Sequence, residues 1–414
     1  MADISETLCG VKFKNPFLLA SGHPADNAIK VKKAAAAGWG GVVLKTIGPA
    51  GWPDPSKEGY KHPRPNFWIT RQSKYIKRGS VFAFENITGI DKLGKTRWFE
   101  REIGDAKDSG IPVIASIAAA TIKDWVDLAC AVEKAGVDMV ELNTSGPYAI
   151  TEMGMGDLTG KDPSTMAEVV MALKKACSIP VIPKLSPNLT PTVLVDIAKA
   201  AANAGADALA GINTVLGVNG IDIETGLPLC TCVGLDGKPK SIFAGISGSA
   251  IKPIALRIVL QVCKSVSIPY SAAGGLTDWQ DCVEFIMGGA TTLQLCTGPM
   301  VFGYDMVKSL AEGLEKFMDR KGYKSIKDFK GMSLKYFGKY GDLKVEPAVS
   351  STIDEELCTG CGLCVKACEA AASTAITLKD GIAKVDKALC VGCNLCNLVC
   401  PEGAAKLAGV PTAT

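Results

Sequence analysis

The chain has 414 residues, of which 47% are hydrophobic and 21% charged, and its 45 Lys and Arg against 42 Asp and Glu leave a formal net charge of +3. That length calls for two or more domains, and so even a charge balance excludes the basic face of a nucleic-acid binder or of a membrane-surface protein. There is no run of 18 apolar residues, and the first ten residues carry Asp3 and Glu6 and no apolar core. Neither a membrane span nor a secretion signal is expected, which predicts a cytoplasmic protein whose sixteen cysteines are metal ligands and buried thiols, not disulfides.

From residue 17 to about 322, short apolar runs alternate with helical patterns. The runs begin at Phe17 and recur near Gly41, Val113, Met139, Val181, Leu209, Tyr270 and Thr292. Three follow an Ile-Pro pair (Ile111-Pro112, Ile179-Pro180, Ile268-Pro269), and four follow a glycine that closes a helix (Gly38, Gly136, Gly205, Gly289). Helices are expected over 26–37, 121–135, 192–204 and 277–287. Eight strand–helix repeats predict an α/β fold, a (β/α)8 TIM barrel; a doubly wound open sheet is the alternative, and no GxGxxG follows an early strand to favour it. Two stretches break the rhythm, 48–110 and 216–244, and read as lids or subunit contacts.

The C-terminal ends of barrel strands carry the active site. Those ends read Ser21, Lys45, Ser116, Asn143, Lys184, Asn213, Gly274-Gly275 and Thr297, a polar or glycine set that packing alone does not select.

The tail reads Cys358-x2-Cys361-x2-Cys364-x3-Cys368 and then Cys390-x2-Cys393-x2-Cys396-x3-Cys400-Pro401. This is the bacterial ferredoxin spacing for two [4Fe–4S] clusters, in which the fourth cysteine of each run ligates the other cluster. One cluster is then expected on Cys358, Cys361, Cys364 and Cys400, the other on Cys390, Cys393, Cys396 and Cys368. Zinc ribbons and disulfides are the alternatives, and two four-cysteine runs suit neither. The halves repeat: Ile353-Asp354 before Cys358 echoes Val385-Asp386 before Cys390. The expected domains are 1–322 as the barrel, 323–350 as a linker and 351–414 as a ferredoxin-like domain.

Clusters carry single electrons, whereas most organic substrates take pairs, so a flavin is expected between them. Gly274-Gly275 and Cys296-Thr297-Gly298 occupy the usual barrel phosphate position, which favours FMN, and Lys184 suits the flavin edge where negative charge collects on reduction. Without a dinucleotide fingerprint, this chain is not expected to bind NAD(P)H itself.

Asn15-Pro16-Phe17, Ala20-Ser21, Lys45-Thr46, Phe84-Glu85-Asn86-Ile87, Met153-Gly154-Met155-Gly156, Asn213-Thr214-Val215, Ser247-Gly248 and Lys252-Pro253-Ile254-Ala255-Leu256 resemble the dihydropyrimidine dehydrogenase family. The similarity is to the FMN and iron–sulfur catalytic subunits of the bacterial type, relatives of dihydroorotate dehydrogenases, and it covers essentially the whole chain. It implies FMN contacts from Ala20, Ser21, Lys45, Thr46, Asn86, Asn143, Lys184, Asn213, Thr214, Gly248, Gly275, Cys296 and Thr297. It also implies a substrate face of Asn86, Thr88, Asn143, Asn213 and Thr214, and a partner subunit that binds NAD(P)H and FAD or otherwise transfers electrons, in a homo- or hetero-oligomer. Two positions depart from the family pattern. Gly146 stands where the family has its proton-transferring Cys, and Thr88 where it has a Glu that pairs with pyrimidine N–H groups. Ser145, Tyr148 and Glu152, with Lys184, are therefore the candidate catalytic residues. The expected activity is an oxidoreductase of an activated C=C or CH–CH bond in a small, non-pyrimidine substrate; an electron-relay subunit without an organic substrate and a dihydropyrimidine dehydrogenase subunit are the alternatives.

Overall fold

In a computed structural model, eight strands close into a parallel barrel in chain order: Phe17–Leu19, Gly41–Val43, Val113–Ile117, Met139–Asn143, Val181–Leu185, Leu209–Gly211, Tyr270–Ala273 and Thr292–Leu295. The structure describes all residues except 1, 50–55, 60, 61, 63, 66, 70–75, 77–79, 146–155, 157, 158, 344–348 and 410–414. The chain divides into two units, Met1–Tyr336 and Phe337–Thr414.

The barrel strands read as unbroken apolar runs because both their faces are covered, by helices outside and by the filled interior. Helix boundaries follow the capping residues. Asn27, Thr121, Asp162, Thr190 and Asp278 each accept a backbone N–H of the first helical turn, and Pro163 and Pro191 sit at the first helical position, where no N–H is needed. Gly38, Gly136, Gly205 and Gly289 leave their helices with φ between +94° and +115°, a conformation that L side chains rarely adopt, and so turn the chain into the next strand.

An N-terminal hairpin, Glu6–Leu8 with Val11–Phe13, accompanies the barrel; sequence reading did not find it. Its Leu8 and Phe13 pack with Leu18, Val43, Ile114, Met139, Ile182, Ala208 and Ala210, the inward residues at the N-terminal part of the strands, and seal that end. Two residues further along several strands the interior turns polar, with Ser116, Glu141, Lys184 and Gln294, all buried.

The two irregular stretches combine. Phe67–Ile69 and Phe84–Asn86 from the first pair with Ala244–Ser247 and Val215–Gly217 from the second in one antiparallel four-stranded sheet. The first stretch is not all insertion, however. Lys95–Arg97, Trp98–Glu102 and Ile103–Lys107 form one helical run before the third barrel strand, with a π-helical centre. Its buried residues are Trp98, Glu102, Ile103 and Ala106, so a charged side chain stands on the buried face and interrupts the apolar pattern that marks a helix in sequence. Residues 323–336, expected in a linker, fold with the barrel unit: Ile326 and Phe329 are buried, and Tyr323 stacks on Phe329 with ring centroids 5.2 Å apart.

In the second unit, Ser350–Ile353 pairs with Ala405–Ala408, Ile376–Lys379 pairs with Ile382–Val385, and the helices Leu363–Ala370 and Leu395–Val399 pack together. The sequence repeat is a structural one. Asp354 N–H donates to Ala404 O at 2.8 Å, and Asp386 N–H to Ala375 O at 2.7 Å. Among the described residues no helix is long and apolar enough to cross a membrane.

Candidate functional site

A cavity of about 1120 Å³, part of it open to solvent, lies at the C-terminal end of the barrel strands, with Phe67, Phe84, Asn86 and Ser247 of the four-stranded sheet also in its wall. Its wall contains Ala20, Ser21, Lys45, Thr46, Asn86, Thr88, Asn143, Lys184, Asn213, Thr214, Gly248, Gly275, Cys296 and Thr297, so every residue expected to touch flavin or substrate faces one space. Ser145 is buried but not part of that wall; its Oγ has no hydrogen-bond partner among the described residues, and its N–H donates to Asn143 Oδ1 at 3.4 Å. Tyr148 and Glu152, and with them Gly146, lie outside the described residues.

The polar wall is wired. Thr46 Oγ1 stands 3.2 Å from Ser21 Oγ and 2.9 Å from Ser116 Oγ, and accepts from Asn143 Nδ2 at 3.1 Å. Asn213 Nδ2 donates to Asn143 Oδ1 at 3.2 Å, and Asn86 Nδ2 to Gly245 O at 3.0 Å. Thr297 Oγ1 donates to Ser247 Oγ at 2.9 Å, linking the last barrel strand to the covering sheet.

Deeper in the barrel, Lys184 Nζ donates to Glu141 Oε1 at 3.1 Å and to Gln294 Oε1 at 2.9 Å, while Gln294 Nε2 donates to Glu141 Oε2 at 2.7 Å and to Ser271 Oγ at 3.0 Å. A buried ion pair is tolerated when its remaining lone pairs and protons are also bonded, which holds here. Glu141 and Gln294 were not singled out from sequence, though a signal exists: each stands two residues before a rim residue, Asn143 and Cys296, and a strand repeats its facing every two residues.

Lys45 differs from Lys184. It is 7% exposed, lies in the cavity wall, and its ammonium makes no hydrogen bond or ion pair among the described residues. Burial lowers its pKa, against the pull of Cys296, Asp91 and Asp26. Burial likewise raises the Cys296 thiol, which Lys45 and Lys184 pull partway back. Asp91 accepts from the N–H groups of Leu93 and Gly94 and is nevertheless raised to about 6 by burial; His62 is lowered to about 4 by burial and by Lys45. His23, also in the wall and also unforeseen, holds Asp26 with Nδ1 and meets the Phe67 ring edge-on at 4.7 Å.

An unpartnered, nearly buried ammonium within a shell of hydroxyls and carboxamides fits a planar group carrying carbonyl oxygens and negative charge, as a flavin does. In the second unit a space of about 370 Å³ is walled by Cys358, Cys361, Cys364 and Cys400, three cysteines of the first run and the last of the second. Ala404 N–H donates to Cys400 Sγ at 3.2 Å, and the amides around Ala405 and Ala404 hold that thiol below its ordinary pKa, as a thiolate ligand requires. Ser351 N–H donates to Cys390 Sγ at 3.3 Å. Of the eight cysteines outside the two runs, Cys177, Cys230 and Cys282 are buried, and Cys296 lines the barrel cavity.

Residues 3–318 match the dihydroorotate dehydrogenase family, and residues 351–407 a 4Fe-4S dicluster domain. The NAD-dependent dihydropyrimidine dehydrogenase subunit PreA of Escherichia coli (strain K12) is 34% identical over 384 residues, 88% of this chain and 85% of its own length. The chloroplastic dihydropyrimidine dehydrogenase (NADP(+)) of Arabidopsis thaliana is 34% identical, over 82% of this chain and 79% of its own. The catalytic subunit of dihydroorotate dehydrogenase B (NAD(+)) of Pyrococcus abyssi (strain GE5 / Orsay) is 36% identical, over 79% of this chain and 98% of its own. The chain therefore belongs to the dihydroorotate dehydrogenase family, as a flavin- and iron–sulfur-dependent oxidoreductase acting on CH–CH groups, with a 4Fe-4S domain following its barrel.

Proposed function

We propose that this chain binds one FMN in the barrel and two [4Fe–4S] clusters in its second unit, and adds or removes two hydrogens across an activated C=C or CH–CH bond of a small substrate other than a pyrimidine. Electrons pass through the clusters to or from a separate electron-transfer subunit. The observation that carries this reading is the convergence of fourteen expected flavin- and substrate-facing residues on one cavity, in a chain that also gathers Cys358, Cys361, Cys364 and Cys400 around another.

When bound, FMN supplies hydride exchange with carbon and a route from paired to single electrons. Lys184, held by Glu141 and Gln294, would offer fixed positive charge to the flavin. Ala20, Ser21, Lys45 and Thr46 follow or end the first two barrel strands and line the ring's site, while Gly248, Gly275 and Thr297 stand where backbone amides would receive the phosphate. Asn86, Thr88, Asn143, Asn213 and Thr214 hold the substrate. In reduction, one carbon of the double bond takes a hydride and the other a proton, so two electrons and two protons enter; oxidation is the reverse. With Gly146 offering no side chain, the proton comes from Ser145, Tyr148 or Glu152, or from water.

The test is anaerobic reduction of the purified, cofactor-loaded chain, followed by reoxidation with unsaturated acids, enones and pyrimidines. Rapid reoxidation by an unsaturated acid or enone is the expected result. Reoxidation by uracil or thymine alone would return the pyrimidine activity, and reoxidation by none would leave an electron relay.

A further inference from the structure

We infer that Cys130 and Cys177 form a modification site, a thiol pair that a peroxide converts into a disulfide and so into a staple across the barrel's outer helices. Neither residue lines the barrel cavity or belongs to the two cysteine runs, so the pair is separate from the flavin and cluster sites. Their sulfurs lie 3.7 Å apart, although the residues are 47 positions apart in the chain. Helix Ile122–Lys134 buries Trp125, Leu128, Ala129 and Val132, and Cys130 stands beside that face, partly exposed. The next helix, Pro163–Ala176, packs against it and ends at Cys177, whose N–H donates to Leu173 O at 2.8 Å and whose side chain is buried. Cys130 Sγ also lies 3.8 Å from Ala176 O. Further along the first helix, Glu133 Oε1 accepts from Ser178 N–H at 2.8 Å and from Ile179 N–H at 3.3 Å. That carboxylate fastens the chain just past Cys177 to the helix carrying Cys130, so bonds other than sulfur packing hold the thiols together.

A disulfide needs its sulfurs about 2.0 Å apart, a closure of about 1.7 Å from the present contact that two side-chain torsions can supply. The two thiols take different parts. Cys130 is the one a small oxidant reaches, whereas burial, with Cys130 and Glu133 beside it, pushes the Cys177 thiol up to about 12. Oxidation therefore starts at Cys130, whose sulfur takes one oxygen from the peroxide to give a sulfenic acid, the other oxygen leaving as water. The Cys177 sulfur then displaces the sulfenic hydroxyl, which leaves with the Cys177 proton as a second water. Two thiols lose two electrons in all, and one peroxide is reduced to two waters. Part of what raises Cys177 is the charge on Cys130, and that is gone once Cys130 is oxidised. The bond closes a long loop, which restricts the unfolded chain and stabilises the folded one. Cys177 stands four residues before the strand Val181–Leu185, at its N-terminal end, whereas the cavity lies at the C-terminal ends.

Peptide mapping of the full-length, FMN- and cluster-loaded protein tests this. Hydrogen peroxide is added anaerobically to the folded chain, remaining thiols are blocked with N-ethylmaleimide, and trypsin is used without reductant. Cys130 falls in peptide 124–134 and Cys177 in peptide 176–184, each with a single cysteine. The two peptides should be found joined in more than about half of the chains, and separate again after dithiothreitol. Cys177→Ser should leave Cys130 as a sulfenic acid that dimedone traps, and Cys130→Ser should leave Cys177 unoxidised. All six tryptophans lie before residue 280, so their fluorescence follows the barrel in urea. Its unfolding midpoint should rise on oxidation and fall back with dithiothreitol, and neither variant should show that shift. A joined peptide that forms only in urea overturns the inference, as do two free thiols in the oxidised folded chain. Equal dimedone labelling of Cys130 with and without Cys177, or a joined chain whose midpoint does not rise, overturns it too. None of these outcomes bears on the flavin reading, because none is read from turnover.

Discussion

Two buried charges show how far single residues constrain the site. Glu141 is 1% exposed and its charge is balanced by Lys184 alone among the described residues. Lys184→Met should therefore cost about 3–5 kcal/mol of stability, since it strands a buried carboxylate, and adding Glu141→Gln should restore most of it. Urea unfolding of the flavin-free single and double variants measures this; equal loss in both would mean that the pair is not coupled. Asp91 and His62 titrate in opposition. Asp91 is raised to about 6 from an ordinary 3.8, so between those values the folded state holds more protons and stability falls as pH rises. His62 is lowered to about 4 from 6.5, so over that window the unfolded state holds more protons and stability rises with pH. His23, also lowered by burial, acts in the same sense as His62. The effects partly cancel in the native chain. Asp91→Asn removes one side, and its stability should rise more between pH 4.5 and pH 7 than that of the unaltered protein. Parallel pH profiles of the urea midpoint would refute the assignment.

At the scale of elements, what the sequence disclosed depended on whether a residue's neighbours lay close along the chain. Barrel strands and their helices are written locally, in apolar runs, in capping residues such as Asn27 and Thr121, and in the glycines that end helices, and all eight strands were legible. The covering sheet was not, because its strands pair across long stretches: Phe84–Asn86 bonds to Ala244–Ser247, and three-residue strands carry too little alternation to be read. The rim residues were found from strand ends, whereas His23, Phe67 and Phe84 were not, since nothing local places them at the cavity. The cysteine loops were fully legible, and their backbone explains the spacing. Gly360 and Gly392 hold φ of +67° and +66°; a Cβ would collide with Gly381 O at the first and with Val349 O at the second. Gly362 has φ +76°, and its counterpart in the second loop is Asn394 at +68°, a residue type that tolerates this region. Gly392→Ala should thus lose most of one cluster's iron, falling from about eight toward four iron per chain, while Asn394→Gly should keep all of it. Iron analysis separates the two; full iron in Gly392→Ala would show that the loop yields.

For the whole molecule, the division into Met1–Tyr336 and Phe337–Thr414 separates the barrel that matches the dihydroorotate dehydrogenase family from the part that matches a 4Fe-4S dicluster domain. The barrel's cavity is built from its own residues, and the space bounded by Cys358, Cys361, Cys364 and Cys400 from those of the second unit. Among the described residues each wall is lined from its own unit, so damage to a cluster should spare the flavin site. The fourth cysteine makes this a sharp test, because Cys400 ends the second run in sequence yet shares its space with the first. Cys400→Ser replaces a sulfur that backbone amides favour as thiolate by a poorer ligand for iron. An FMN and two clusters should take up about four electrons per chain in an anaerobic reductive titration, two at the flavin and one at each cluster. The variant should take up about three or fewer, with FMN content and the flavin absorbance change unaltered. Crossing of ligands also fixes which signal is lost. With the proposed crossed ligands, Cys400→Ser would leave a cluster on Cys390, Cys393, Cys396 and Cys368, and Cys368→Ser would remove that one instead, so the paramagnetic spectra of the two reduced variants should differ and together approximate that of the unaltered chain, apart from coupling between clusters. Identical spectra would mean that the fourth ligands do not cross. Loss of FMN along with iron would mean that the units depend on one another to fold.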